Sequence, residues 1–393
     1  MTPAARVQSA IELLDSIIVA AAAKGAPADR ILAEWFRGHR FAGSKDRRAI
    51  RDLVFAAIRA CGPVPPGGRA AMLRLAEGDA ALHALFDGSP YGPPVIADGE
   101  PVAAGGIAPE WLEAALADSD VDGPEAAAML GRAPLDIRVN TLKAERATIS
   151  LPESGERIAA PNGLRFPPGT TVEQWPAYRD GLIEVQDGGS QLACMAVGAR
   201  SGETVIDLCA GAGGKTLALA AAMDSGGTLV AADTDRARLS RLGPRAERAG
   251  AVVAETFLLD PGRELERLDA WRGKADAVLV DAPCSGTGTW RRNPEARWRL
   301  TPAEVVRFVS FQSRLLAIAA ELVRPGGRLV YVVCSLLDAE GADRIAAFLA
   351  GHPGWRADPP LLPLGTARGT GVRLTPFHDG TDGFFIARLE KPC

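Results

Sequence analysis

Residues 205–216 read Val-Ile-Asp-Leu-Cys-Ala-Gly-Ala-Gly-Gly-Lys-Thr and lead directly into an apolar stretch at 217–223. The first residues are a short apolar run typical of a buried strand, and the stretch after the glycines favours a helix. Glycines at such a turn let a ligand approach the backbone, and the helix N-terminus presents free N–H groups. This stretch therefore predicts a strand, a turn and a helix of an α/β domain, with a ligand at the turn.

The same alternation continues toward the C-terminus. Apolar runs at 228–232, 277–280 and 328–333 are typical of buried strands, and helical stretches lie between them. An alternation of strands and helices argues for a doubly wound parallel sheet with helices on both faces. We therefore predict a Rossmann-like α/β domain over residues 189–393.

The residues before this domain fall into three parts. Apolar residues at helical spacing predict an all-α domain over residues 1–87. The Gly- and Pro-rich character of residues 88–134 predicts a linker with connecting helices. Strand-like alternation from Leu135 onward predicts a small α+β region over residues 135–188.

Composition and charge restrict the class of protein. Hydrophobic residues make up 47% and charged residues 23%, which is typical of a globular chain, and the net charge of −4 argues mildly against a nucleic-acid partner. Six cysteines without a C-x-x-C pair and four scattered histidines predict neither a disulfide framework nor a metal site. The apolar N-terminal run contains Glu12 and Asp15 and has no basic start, so it predicts neither a membrane span nor a signal peptide. We therefore expect a cytoplasmic protein with free thiols.

Three classes of ligand use a glycine turn of this kind. A phosphate-binding P-loop needs glycine where Cys209 stands, and a dinucleotide fingerprint needs glycine where Thr216 stands. S-adenosylmethionine needs a close approach to the backbone and an acid for its ribose hydroxyls, which Asp233 supplies at the end of the next strand. A tight turn without any ligand is the alternative for the glycines alone, and the two strand-end acids Asp233 and Asp260 argue against it. The contacts expected for this cofactor are Cys209, Ala210, Gly211, Ala212, Gly213, Gly214, Lys215, Asp233, Asp260 and Asp281.

Cysteines follow two of the predicted strands. Asp281-Ala282-Pro283-Cys284 follows the strand at 277–280, and Cys334 follows the strand at 328–333. In a doubly wound sheet the ligand crevice lies beyond the carboxyl ends of the strands. A single buried cysteine is common in protein cores, but two at adjacent strand ends favour a chemical role.

Methylation of a pyrimidine at carbon 5 is a reaction in which such thiols would have a chemical role. Carbon 5 becomes nucleophilic once a thiolate adds to carbon 6, so covalent catalysis divides a difficult step into easier ones. The thiolate is the reactive form, and its surroundings must favour it. Asp281 is expected to hydrogen-bond the cytosine ring edge, and Lys215 is expected to orient or neutralise the target nucleotide.

These segments resemble the motifs of the Nop/Sun family of RNA cytosine-5 methyltransferases, above all its bacterial Sun (RsmB-like) branch. The similarity includes residues 137–143, 184–187 and 382–385 and covers residues 135–393. It implies a class I methyltransferase domain, S-adenosylmethionine as the methyl donor, and a cytosine in RNA, expected in small-subunit ribosomal RNA, as the target. In that family the cysteine matching Cys334 is the nucleophile and the one matching Cys284 assists product release. DNA cytosine methyltransferases use the latter position instead.

The sequence departs from that family in two places. Gly211 and Ala212 stand where the family's turn has alanine and proline. Residues 6–60 resemble the start of a NusB-like helical domain, whereas residues 62–110 match it poorly, so the N-terminal domain is expected to be a shortened NusB-like one.

Basic and aromatic residues alternate just after the Cys284 motif, an arrangement that suits a phosphate path and a stacked base. The expected RNA contacts are Arg138, Arg291, Arg292 and Arg297. We expect a monomer that acts on single-stranded or locally opened RNA. The alternatives are a transfer RNA methyltransferase and a non-catalytic RNA-binding ribosome assembly factor with the same fold.

Overall fold

A computed structural model describes residues 1–393, and contacts between Cα atoms divide the chain into two units. The first comprises Met1–Gly131 together with Trp290–Pro302, and the second comprises Arg132–Thr289 together with Ala303–Cys393. Most of the linker expected over residues 88–134 thus belongs to the first unit. This segment is not a separate linker because backbone pairing attaches it to the first unit, where the amide of Ala103 donates to the carbonyl of Ala70.

The first unit is helical, as predicted. Thr2 caps its first helix by accepting the amide of Ala5, and the apolar face of that helix packs into a core that includes Leu14 and Val54. A Cβ on Gly68 would lie 2.2 Å from the carbonyl oxygen of Ile11, so a glycine permits the close approach at this position. The helices are α1 (Pro3–Ala22), α2 (Ala28–Gly38), α3 (Ser44–Ala60), α4 (Gly68–Ala76), α5 (Ala80–His83), α6 (Glu110–Ala117) and α7 (Gly123–Ala128).

A 3₁₀ helix over Pro294–Arg299 completes the first unit. Arg297 is fully buried and its Nη2 donates to the carbonyl oxygens of Ile58 and Cys61, each at 2.6 Å. These carbonyls lie at the C-terminal end of α3, where backbone acceptors lack their usual helical partners, and that of Ile58 also accepts the amide of Cys61 at 3.4 Å. Burial lowers the pKa of Arg297 to about 10, which still leaves it charged at neutral pH. The arginine therefore caps α3 with a buried cation.

The second unit begins with a small antiparallel sheet. Its strands are β1 (Leu135–Val139), β2 (Glu156–Arg157), β3 (Gly163–Phe166) and β4 (Ile183–Val185), in the order β2-β3-β1-β4. Ile137, Leu164 and Ile183 belong to the apolar core of this sheet. The buried carboxylate of Asp136 pairs with Arg165 at 2.7 Å.

The rest of the second unit forms a larger sheet in the order β11-β12-β13-β9-β8-β5-β6-β7, with β10 paired to β13. The strands from β9 to β7 in that order are parallel, and β13 is antiparallel to β9. The strands are β5 (Thr204–Asp207), β6 (Thr228–Asp233), β7 (Glu255–Leu258), β8 (Ala275–Asp281), β9 (Val323–Val333), β10 (Arg356–Ala357), β11 (Thr366–Arg368), β12 (Gly371–Leu374) and β13 (Phe384–Glu390).

Helices cover both faces of this sheet, which confirms the Rossmann-like prediction. Along β9, Tyr331 and Val333 enter a core shared with the helices at residues 302–322 and 342–351, whereas Val330 and Val332 enter a core shared with the helices at residues 188–197 and 214–222. This alternation follows from the two-residue repeat of a strand. The helices are α8 (Pro176–Arg179), α9 (Gly188–Val197), α10 (Gly214–Ala222), α11 (Arg236–Leu239), α12 (Leu242–Ala249), α13 (Glu264–Leu268), α14 (Pro302–Leu322), α15 (Ala342–Gly351) and α16 (Pro376–Asp379).

None of these helices combines the length and the apolar character needed to cross a bilayer.

We expect Arg297→Met to destabilise the first unit by about 3 kcal/mol, because it removes the buried side-chain donor of two backbone carbonyls. Hydrogen exchange measured by mass spectrometry should show faster exchange in peptides of α3, with peptides of β8 as an internal reference. Arg292→Met is the control, since Arg292 is only half-buried. Equal protection of α3 in both variants would contradict the capping role.

Candidate active site

Four parallel strands bring their carboxyl ends together at one edge of the larger sheet. β5 ends at Asp207, β6 at Asp233 and β8 at Asp281, and Cys334 follows β9 directly. A cavity of about 330 Å³ lies at this edge. It is lined by Leu208, Cys209, Asp233, Thr234, Asp235, Arg238, Leu259, Glu264, Asp281, Ala282, Pro283, Cys284, Phe311, Leu315 and Cys334.

The glycine turn is fixed by the acid at the end of the neighbouring strand. Asp233 accepts the amide of Gly211 at 2.7 Å and, through its other oxygen, the amide of Asp235 at 2.7 Å. Gly211 has a φ of 54°, which L-residues rarely adopt, so glycine at this position avoids backbone strain. The departure from the family's alanine therefore suits the conformation that this turn takes.

The cavity has the groups that a nucleoside needs. Asp233 offers a carboxylate for vicinal hydroxyls, and Leu259 and Phe311 contribute apolar surface for a flat ring. These groups fit S-adenosylmethionine. Of the contacts expected for it, Cys209, Asp233 and Asp281 line the cavity, and residues 210–215 form the adjoining turn and the first turn of α10.

Asp260 does not line the cavity. It is exposed, and the preceding Leu259 faces the cavity instead. The amide of Leu259 donates to the carbonyl of Asp233, which fixes the chain at this point. A contact between the Asp260 side chain and the cofactor stays a prediction. The pattern at the strand end could not indicate which of two successive residues faces inward, nor that Phe311 on α14 reaches the cavity.

The two strand-end cysteines lie together at the cavity wall. Their Sγ atoms are 3.5 Å apart, within hydrogen-bonding distance for sulfur, and both side chains are half-buried. The amide of Gly288 donates to the carbonyl of Cys334, which ties the loop after Cys284 to the end of β9. The hydrogen bond with Cys334 and burial raise the pKa of the Cys284 thiol well above its usual range.

Lys215 and Asp281 form an ion pair beside the thiols, with Nζ and Oδ2 2.6 Å apart. Burial alone would lower the pKa of Lys215, but Asp281 and negative charge on the neighbouring thiols Cys194 and Cys334 raise it above the usual value. The side chain is thus an ammonium at neutral pH.

The arginines expected to contact RNA are largely buried. Arg138 lies in the small sheet and donates from Nε to Gln186 at 2.8 Å, and Arg297 caps α3 in the first unit. Arg291 is 7% exposed, and Arg292 is half-buried. This placement disfavours RNA contact for the buried three, and for Arg292 such contact stays a prediction. The alternation of basic and aromatic residues reflects packing of the first unit, because Trp298 also belongs to its core.

Asp207 is a buried acid beneath the turn. It is fully buried and accepts the hydroxyl of Thr216 at 2.7 Å. Burial raises its pKa to about 7, so the carboxyl is partly protonated at neutral pH.

Comparison with known proteins begins with a family model described as 16S rRNA methyltransferase RsmB/F, which matches residues 194–390. The probable ribosomal RNA small subunit methyltransferase B of Synechocystis is 36% identical, covering 65% of this chain and 60% of its own. The ribosomal RNA small subunit methyltransferase B of Thermus thermophilus is 41% identical over 53% of this chain and 50% of its own. This chain thus spans about 60% or less of the length of these two relatives.

Solved structures agree on the fold. The crystal structure of PH0851 matches all of both chains with a TM-score of 0.73 and 25% identity. NSun6 from Pyrococcus horikoshii, solved with SFG, has a TM-score of 0.61 and 19% identity over 71% of this chain and 97% of its own. The second likeness is one of fold alone.

Asp207 should make stability depend on pH. A carboxyl whose pKa rises from 3.8 to about 7 on folding favours the folded state below pH 4 and loses that advantage as the pH rises through 7. The loss is on the order of a few kcal/mol. Asp207→Asn should therefore raise the melting temperature more at pH 8.5 than at pH 5.5, as measured by calorimetry. Asp269→Asn, at an exposed position, should show no such difference. A gain for Asp207→Asn that is equal at both pH values would contradict the assignment.

Proposed function

The chain belongs to the RsmB/F family of 16S rRNA methyltransferases, and we propose that it transfers a methyl group to carbon 5 of a cytosine in small-subunit ribosomal RNA. The single observation that carries this proposal is the pair of thiols 3.5 Å apart at the wall of the nucleoside cavity. One nucleophilic thiol suffices for addition to a pyrimidine, and a second within hydrogen-bonding distance suits a covalent adduct that must later be released. The cofactor is S-adenosylmethionine, which supplies an electrophilic methyl group when bound.

The residues of the cavity divide into two tasks. Asp233 and the apolar side chains around Leu259 hold the donor's nucleoside end, while the glycine turn permits close approach to the backbone. Asp281 lines the same cavity as the two thiols and is paired with Lys215. A cytosine lying over the thiols would place its ring edge near Asp281, whose carboxylate can accept hydrogen bonds from the exocyclic amine and protonated ring nitrogen.

We assign Cys334 as the nucleophile. Its thiolate adds to carbon 6, forming the S–C6 bond, and the electron pair of the C5–C6 double bond moves to carbon 5. That electron pair then forms the bond to the methyl group of the sulfonium donor, and the sulfur–methyl bond breaks with its electron pair staying on the donor's sulfur. A water molecule acting as base removes the remaining proton from carbon 5, the double bond re-forms, and the S–C6 bond breaks with its electron pair returning to Cys334. Lys215 stabilises negative charge on that sulfur at the first and last of these steps.

We assign Cys284 to the release of the methylated product. As a thiol it donates a hydrogen bond toward the sulfur of Cys334, which gains negative charge as the S–C6 bond breaks. Its raised pKa supports this assignment, because a thiol that keeps its proton serves as a donor.

Replacing the nucleophile should abolish methylation. In a strain whose only copy of the gene carries Cys334→Ala, bisulfite sequencing should show loss of a 5-methylcytosine from small-subunit ribosomal RNA. The purified variant should still bind S-adenosylmethionine by calorimetry, since the nucleoside cavity is intact. Cys61→Ala, a buried thiol of the first unit, is the control and should keep the modification. Loss of 5-methylcytosine from transfer RNA alone would identify transfer RNA as the substrate. A 5-methylcytosine retained in both RNAs would overturn the proposal.

Replacing the release residue should trap the intermediate instead. Cys284→Ala, incubated with target RNA and S-adenosylmethionine, should give a protein–RNA adduct that survives denaturing electrophoresis. The double variant lacking both thiols should give none. An adduct that forms with Cys334→Ala but not with Cys284→Ala would show that the two roles are reversed.

A further inference from the structure

A buried carboxylate lies directly behind the two thiols. Glu340 follows β9 in a short 3₁₀ turn and is fully buried. Its Oε1 accepts the amide of Ser285 at 2.9 Å and Nε2 of Gln312 at 3.0 Å. Its Oε2 accepts the hydroxyls of Ser335, at 2.6 Å, and of Ser285. Both oxygens thus have two donors, which is the environment that a buried ionised carboxylate requires.

These bonds connect the two cysteine loops, because Ser285 and Ser335 are the residues that follow Cys284 and Cys334. The hydroxyls of the two serines are also within 3.1 Å of each other. Thr287 adds a second link, with its hydroxyl 3.2 Å from that of Ser335 and accepting the amide of Leu336 at 2.8 Å. The separation of the two sulfur atoms is therefore set by a hydrogen-bonded network and not by the strands alone.

The network also holds the backbone of the Cys284 loop. Gln312 donates both to Glu340 and to the carbonyl of Pro283, at 3.0 Å in each case. Together with the two donations from Ser285, this fixes the backbone on both sides of Cys284. The hydroxyl of Tyr331 donates to the carbonyl of Glu340 at 2.7 Å, so the carboxylate is itself held in place.

We propose that Glu340 is a positioning residue for product release, holding Cys284 as the hydrogen-bond donor to the sulfur of Cys334. The proposal rests on the release role assigned to Cys284 in the proposed function. In the step concerned, the proton on carbon 5 passes to water, its electron pair re-forms the C5–C6 double bond, and the S–C6 pair returns to Cys334. The Cys284 thiol hydrogen-bonds that sulfur as its charge develops.

The charge of Glu340 supports the same role as its hydrogen bonds. A buried negative charge near Cys284 disfavours a second one on its sulfur, and it is one of the groups that raise the pKa of this thiol, after Cys334 and burial. Cys284 therefore keeps the proton that a donor needs. A neutral residue of the same shape would lose both this charge and one of the two accepting oxygens.

The test is Glu340→Gln in the 393-residue chain, studied in a single turnover with target RNA and S-adenosylmethionine. We expect the covalent adduct to form at close to the wild-type rate and to decay about ten- to a hundredfold more slowly. It should accumulate as in Cys284→Ala, with donor affinity unchanged. If Glu340 had only a structural role, Glu340→Gln would instead lower the rates of adduct formation and decay together with the affinity for the donor. That result, or decay at the wild-type rate, would overturn the proposal.

Two further variants complete the test. Glu184→Gln removes another buried carboxylate, paired with Arg245 and Arg248 away from the thiols, and should not accumulate adduct. Gln312→Ala removes one hydrogen bond to Glu340 and one to Pro283. If Glu340→Gln does not fold, Gln312→Ala should show the same slow decay of the adduct. If Cys284→Ala traps an adduct and neither network variant does, the role of Glu340 alone is wrong. If Cys284→Ala traps none, the release role of the thiol fails, and the proposal for Glu340 falls with it.

Discussion

The parallel pairing of β8 with β9 is the constraint on which the site depends. In this register Asp281 lies opposite Val332, so the chain leaves both strands at nearly the same level. Cys334 follows two residues after Val332, and Cys284 three residues after Asp281, which brings the two sulfur atoms to 3.5 Å. A slip of one residue would turn the alternating side chains of β9 to the opposite cores and separate the thiols. The two apolar cores that fix the register therefore also fix the chemistry.

Burying several charges at one sheet edge is costly, and each is compensated in a different way. Asp233 receives two backbone amides, Asp281 receives Lys215, and Glu340 receives four donors. Asp207 has only the Thr216 hydroxyl on one oxygen, and its other oxygen has no hydrogen-bond partner, so protonation compensates it instead. Groups with fixed partners keep both charge and orientation, which a reacting nucleotide can use without further reorganisation.

Much of this arrangement could be predicted from the sequence, because strand ends are visible as apolar runs followed by a reactive or acidic residue. That rule located Asp233, Asp281, Cys284 and Cys334 at one edge. It could not locate Glu340 or Gln312, whose positions depend on tertiary contacts between distant segments. The arginines after Cys284 alternate with tryptophans, a pattern that predicts a path for RNA, but Arg291 and Arg297 are buried. The carbonyls that bind Arg297 lie at the end of α3, more than two hundred residues earlier, and no local pattern connects them with this arginine.

The two thiols are alike as sequence motifs, since each follows a strand and precedes a serine. Their hydrogen bond alone does not decide which sulfur carries the proton. The surroundings are unlike. Negative charge on Cys334 interacts favourably with the buried ammonium of Lys215, whereas the nearby carboxylate of Glu340 opposes negative charge on Cys284. Charges of opposite sign thus lie beside the two ends of one hydrogen bond, which supports the assignment of Cys284 as the donor. The proposed division into a nucleophile and a donor therefore rests on the charged groups that the fold packs against two similar motifs.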